Sequence, residues 1–306
     1  MKAYLRDWIP LTLALALVLP AAAAPRYNAR QVAELVEIAQ AEKAPEARRA
    51  KAIRELAYTD ERGHLALLRR LLREERSLDI RLSAACTLAA LGDSKSPRDL
   101  LLASAYEMER TPNCSLSDVL RALGRIGDPA AELHLGRALK TPAPADEPFF
   151  YSDVCRALAD LGTPGAHLLL LNALRDGPPA VRHAAISPLG AISLDRANDY
   201  HPAAREALIH AARTDPDEKV AEQAASALFW MGVDGAAFYE LLENGATPAI
   251  RSRAARVMNR HYLSPTRLAR LRKALDREQD PEVRAAIERT LAGQPSSPSA
   301  RQESES

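Results

Sequence analysis

Leucine and alanine recur at three- and four-residue spacing from about residue 28 to residue 293, and no stretch alternates apolar with polar positions. Ile80, Ala84, Leu88 and Leu91 make one such stripe, and Tyr151, Val154, Leu158 and Leu161 another. Leu65, Leu68, Leu71 and Leu72 form a third. The pattern predicts helices throughout. Prolines punctuate it: Pro45, Pro97, Pro129, Pro148, Pro164, Pro178, Pro202, Pro216, Pro248, Pro265 and Pro281 stand before periodic segments, where a fixed φ and a missing N–H suit the first helical turn. Asp128, Asp215 and Asp280 each precede one of these prolines and are expected N-caps. Pro188 falls inside the segment 181–192, where it deletes a backbone hydrogen bond and predicts a kink.

Helix corners fall at Thr59, Gly92, Gly127, Gly162, Ser193, Gly232, Leu263 and Gly293, between 30 and 39 residues apart. The repeating unit is therefore a helix pair. Each pair has an apolar face it cannot cover alone, and stacking the next pair against it extends one core. The expected fold is all-α: an α-solenoid, a right-handed superhelix of stacked antiparallel helix pairs, with eight second helices and about seven complete pairs. The longest interval holds an insertion at 195–201, expected to project as a loop.

A phrase recurs in the second helices: Pro45-Glu46-Ala47-Arg48, Asp79-Ile80-Arg81, Ala180-Val181-Arg182, Ala249-Ile250-Arg251 and Pro281-Glu282-Val283-Arg284. It resembles the HEAT-like repeat, in particular the short variety of the bilin lyases, over nearly the whole span 24–293. The segments around Ser117-Asp118 and Ser152-Asp153 depart from the arginine pattern. The resemblance implies a scaffold or adaptor fold that also serves a few enzymes. Residues 294–306 are Pro, Ser, Gln and Glu without apolar spacing and read as a disordered tail.

The first 23 residues read as a cleavable signal peptide: Lys2 and Arg6 precede the apolar run 8–19, which ends at Pro20 and small residues, with cleavage expected before Ala24. The run is shorter than the ~20 residues a spanning helix needs, so no stable membrane insertion is expected after cleavage. The chain is expected to be secreted or periplasmic. Removing Lys2, Arg6 and Asp7 from 41 basic and 40 acidic residues leaves 39 of each. A neutral chain with only 5% aromatics argues against a nucleic-acid partner. Cys86, Cys114 and Cys155 leave one disulfide plus a spare, or three thiols; the inward placement of Cys86 and Cys155 favours buried thiols.

Catalytic motifs are lacking. The seven histidines form no His-Glu-x-x-His, and the sequence contains no Cys-x-x-Cys and no His-Glu dipeptide. The di-iron hydroxylases built from HEAT-like repeats hold their metals with His-Glu pairs, so that activity is not carried over, and no metal or cofactor is expected. Ser115, Ser117 and Asp118 read as a helix cap rather than a nucleophile.

Arginine supplies the one distinctive stripe. Arg48, Arg81, Arg182, Arg251 and Arg284 recur on successive second helices, on the side expected to be concave. They read as a structural ladder, each pairing an acid at a neighbouring corner such as Asp60 or Asp93. The additional Arg49, Arg54, Arg121, Arg125, Arg156, Arg253, Arg256 and Arg260 are candidate contacts for an acidic protein or peptide, because guanidinium pairs carboxylate through two parallel bonds. The loop 195–201 and the cluster Phe229-Trp230-Met231 are further places where specificity could lie, as are Tyr58, Phe149, Phe150 and Tyr151. The expected function is partner binding by an exported scaffold. A bilin lyase or isomerase on the same repeats is the alternative, and a helical-repeat DNA glycosylase a more remote one.

Overall fold

The computed structural model describes residues 27–59, 62–194, 199–230, 236–259 and 263–293. Helix dominates it, and no strand occurs among these residues beyond an isolated bridge between Thr111 and Cys114. Whereas the repeat reads as one run from 24 to 293, the contacts divide the chain into two compact units, 1–128 and 129–306.

The first unit contains three hairpins: α1 (Ala29–Gln40) with α2 (Glu46–Glu55), α3 (Leu65–Glu74) with α4 (Leu78–Ala90), and α5 (Arg98–Glu107) with α6 (Leu116–Ile126). The second contains five: α7 (Ala131–Ala138) with α8 (Phe150–Leu161), α9 (Pro164–Asp176) with α10 (Pro179–Leu194), α11 (His201–Thr214) with α12 (Glu218–Trp230), α13 (Ala236–Asn244) with α14 (Pro248–Asn259), and α15 (Pro265–Arg277) with α16 (Pro281–Ala292). The described residues thus hold eight complete pairs rather than about seven. The first pair is complete because Asn28 and Gln31 close a reciprocal capping box that starts α1.

Second helices pack in chain order within each unit, α2 on α4 on α6, and α8 on α10 on α12 on α14 on α16. This is the solenoid arrangement, and it buries one continuous strip per unit: Ile53, Ile80, Leu88 and Leu120 in the first, Val154, Val181, Ala221, Ala255 and Val283 in the second. Side chains at the i, i+3 and i+4 spacing are covered because neither hairpin face can reach water once the next one is seated. Hydroxyls add a polar tie: Thr87 on α4 lies 3.2 Å from the Ile53 carbonyl of α2, and Thr290 on α16 lies 2.9 Å from the Ala255 carbonyl of α14.

Side-chain caps set several helix starts. Ser77, Ser115, Thr163, Ser264 and Asp280 each accept a hydrogen bond from an amide two or three residues on. Ser115 and Asp118 form a capping box, so this cluster starts α6. Gly92, Gly127 and Gly162 close second helices with φ of 85°, 71° and 66°, which glycine adopts without a Cβ penalty. Two expected caps are corrected. Ala130, not Asp128, stands at the start of α7, and Asp128 pairs with Arg98. Asp217, not Asp215, receives the Lys219 and Val220 amides at the start of α12. Helix α10 runs through Pro188 from Pro179 to Leu194. No helix among the described residues is long and apolar enough to cross a membrane.

Candidate functional site

The arginine stripe resolves into a repeated joint. Arg81, Arg182, Arg251 and Arg284 each stand four residues after the residue whose carbonyl accepts their own amide, namely Ser77, Pro178, Thr247 and Asp280. From that place in the first turn, each reaches back to the last turn of the first helix of its own hairpin or to the residues just after it. Arg81 donates to the Leu72 carbonyl at 3.3 Å, Arg182 to Gly177 at 2.9 Å, Arg251 to Gly245 at 2.8 Å, and Arg284 to Leu275 and Glu278 at 2.8 and 2.9 Å. These carbonyls lie at or just beyond the end of the first helix, where they lack an intrahelical partner and a cation is favoured.

Two of these arginines also cross to the next hairpin. Arg182 takes Asp215 through two bonds of 2.8 Å, and Arg251 takes Glu278 through bonds of 2.6 and 3.0 Å. Each acid stands two residues before the next cap and accepts its amide as well, Asp217 to Asp215 and Asp280 to Glu278, both at 2.9 Å. Hydrogen bonding from Arg251 holds the Glu278 carboxyl below the usual carboxylate range, and Glu278 in turn raises Arg251.

In the first hairpin the position belongs to Arg49, not Arg48. Pro45 precedes α2 as its cap, whereas Pro281 is the first residue inside α16, so the matching phrases Pro-Glu-Ala-Arg and Pro-Glu-Val-Arg are offset by one. Arg49 is 5% exposed, donates to the Ala39 carbonyl at 3.2 Å and pairs with Glu75, two residues before Ser77; Arg48 is exposed.

The described corner acid named for this ladder does not serve it. Asp93 pairs with Arg69 at 2.7 Å and accepts the Ser96 amide; Asp60 lies outside the described residues. The reason is distance: a corner closes the far end of a second helix, roughly 15 Å along the axis from the first-turn arginine. In the connection before α6, Asn113 stands two residues before Ser115 in place of an acid.

The candidate contacts separate into three groups. Arg121 pairs with Asp118 one turn back, and Arg256 lies 2.8 Å from Glu218 and 3.4 Å from Glu222 of α12. Arg253 is half-buried and donates to the Ala212 carbonyl of α11 at 2.8 Å, and Arg54 donates to the Asn113 carbonyl. Arg125 on α6 and Arg156 on α8 are exposed; Arg260 lies outside the described residues.

The aromatics divide as well. Phe150 is buried, and the half-buried Tyr151 fixes its own loop by donating to Thr141 and accepting from Ala143. Phe229 is core, packed edge-on against Phe238 at 5.1 Å and beneath Arg267. Trp230's side chain and residues 195–198 and 231 fall outside what is described. Tyr58 and Phe149 are exposed. An apolar groove of about 620 Å³ runs between α7 and α9, floored by Leu139, Tyr151, Leu169 and Val181. His134 and His167 stand at the same place in α7 and α9, and burial pushes both below the ordinary histidine value. No cluster of three or more metal-ligating side chains occurs among the described residues.

Sequence reasoning missed two sets of residues. Glu75 and Glu278 carried a usable signal, an acid two residues before a cap. Gly177 and Gly245 carried another, a glycine five or six residues before the arginine. A Cβ would lie 2.6 Å from the Ala173 carbonyl at Gly177 and 2.5 Å from that of Leu241 at Gly245.

Stacked antiparallel hairpins with second helices in chain order define the all-α solenoid class of repeat protein. More particularly, residues 145–229, from the connection before α8 through α12, match the family model of HEAT repeats. No curated protein matches the chain. Among solved structures it is similar to two engineered proteins, both at 19% identity. For one the TM-score is 0.40, with 86% of this chain and 78% of that one covered; for the other it is 0.28, with 86% and 95%. It is also similar, at 17% identity and a TM-score of 0.25, to human deoxyhypusine hydroxylase in complex with glycerol, over 94% of this chain and 98% of that one.

Proposed function

We propose that this chain is an exported scaffold that binds an acidic protein or peptide segment on the surface of its second helices. The observation that carries the reading is the division of labour among arginines. Arg49, Arg182 and Arg251 are consumed in joints that stiffen the stack, while Arg125 and Arg156 stand exposed on second helices. A stiff stack loses little conformational freedom on association, so its surface binds without first having to order itself. Exposed guanidiniums suit carboxylates, which they grip through paired bonds.

Selection from a displayed peptide library on the intact protein tests this. Sequences rich in Asp and Glu should be enriched, and Arg125→Glu and Arg156→Glu should each weaken the enrichment while leaving the unfolding midpoint in place. Enrichment that ignores acidic residues, or that survives both reversals, overturns the reading. Export is tested separately, by sequencing the N-terminus of the protein recovered from cells: Ala24 is expected, and Met1 would refute it.

A further inference from the structure

We propose that Cys86 and Cys114 form a disulfide that fastens the α5–α6 connection onto α4. The two residues belong to different hairpins and are 28 positions apart, yet their sulfurs lie 3.6 Å from one another. Both are free thiols in this structure, Cys86 half-buried and Cys114 buried.

The approach is enforced by contacts that do not involve sulfur. Met108 turns the chain out of α5 with φ of 56°, and the Glu109 amide returns to the Ser104 carbonyl at 2.8 Å. Thr111 and Cys114 then exchange backbone hydrogen bonds of 2.9 and 3.2 Å, closing a tight loop, and the Cys114 amide also lies 3.1 Å from the Thr111 hydroxyl. That loop is seated on the first turn of α4. Asp79, only 6% exposed, accepts the Thr111 hydroxyl, the Asn113 amide at 3.3 Å and the Asn113 side chain at 2.5 Å. From the neighbouring α2, Arg54 donates to the Asn113 carbonyl. With Asp79 holding residues 111 and 113, Cys114 is brought against Cys86, two helical turns further along α4. A bond of about 2.05 Å then needs the sulfurs to close by roughly 1.5 Å, within the reach of side-chain rotation about χ1.

Exposure sets the order of events. The oxidant is a disulfide, either oxidised glutathione or the active-site disulfide of an oxidoreductase. The Cys86 thiolate, the more accessible of the pair, attacks one of its sulfurs, forming a mixed disulfide and releasing one thiolate. Cys114 loses its proton and attacks Cys86 Sγ, expelling the second thiolate. Two cysteines are thereby oxidised, the oxidant leaves as two thiols, and the two protons taken from the cysteines balance them. The hydrogen bond with Cys114, and then burial, raise the Cys86 thiol well above its ordinary value, so the first step accelerates as pH rises. Cys155 has no such neighbour; burial alone pushes it up to about 12.

The full-length protein, reduced and then incubated with oxidised glutathione at pH 8, should lose the mass of two hydrogens. After denaturation it should accept a single alkyl group, on Cys155, and yield a linked peptide pair carrying Cys86 and Cys114. Cys114→Ser should instead keep glutathione on Cys86, and Cys155→Ser should bridge as the wild type does. Three alkylated cysteines under conditions that oxidise the unfolded chain, a lasting glutathione adduct on wild-type Cys86, or a bridge to Cys155 would each overturn the proposal.

Discussion

Arg182 and Asp215, 33 residues apart, face one another through two parallel hydrogen bonds of 2.8 Å, with both side chains largely buried. One residue opens a second helix and the other lies in the turn of the following hairpin. The pair therefore joins two repeats rather than decorating either.

Removing half of this pair leaves an unpartnered charge where water is scarce. Asp215→Ala and Arg182→Ala are each expected to destabilise the protein by about 2–4 kcal/mol. The double variant should cost clearly less than the sum, giving a coupling of about 1–3 kcal/mol in chemical denaturation. Additive losses would mean that the two residues act separately. Arg182→Lys should recover little, since an ammonium cannot make both bonds at once.

Arg48 and Arg49 separate two registers of the first repeat. Arg48→Ala should change stability by no more than about 0.5 kcal/mol, as exposed positions do, whereas Arg49→Ala should cost about 2 kcal/mol or more. Thermal unfolding of the two variants side by side decides between the registers, and the reverse ranking would restore Arg48 to the ladder.

Gly177 and Gly245 mark turns where the backbone passes too close to a preceding carbonyl to admit a Cβ. Alanine at either position should lower stability by about 1–3 kcal/mol, because a backbone atom, not a flexible side chain, has to move. Gly63, with open space around it, is the control: Gly63→Ala should be near neutral in the same assay.

Acid should weaken the joint at Glu278. Its carboxyl is held below the ordinary value of 4.5 by Arg251, so the folded state binds a proton less readily than the unfolded chain. The stabilisation is complete above that ordinary value and is lost as pH falls through the depressed one. Glu278→Gln should therefore be less stable than wild type at pH 7, and the difference should shrink as pH drops below 4. A constant difference across that range would show that the charge is not what matters.

The helices were legible because apolar periodicity and capping residues act within a turn or two of chain. Ile80, Ala84 and Leu88 mark a buried face wherever that face ends up, and Ser77 or Ser115 can cap only the helix that follows. The arginine phrase was legible for a related reason, since Arg182 and Arg251 keep a fixed offset from their caps. It misled at Arg48 because proline suits both the cap and the first helical residue, and the letters do not say which role Pro45 plays. Arg125 and Arg156 were named together with Arg256, whose acids lie 34 and 38 residues away and could not be paired with it by spacing.

What the sequence determined by itself is a succession of helix pairs, their approximate limits and a recurrent cation at the start of several second helices, all consequences of short-range backbone geometry. Only the tertiary structure decided that Glu75, Asp215 and Glu278 receive those cations, that Asp93 does not, that Cys86 meets Cys114, and that the contacts part at Asp128. Each of these depends on the offset at which one hairpin seats on the next. That offset is set by the summed packing of many side chains, and no local run of residues encodes it.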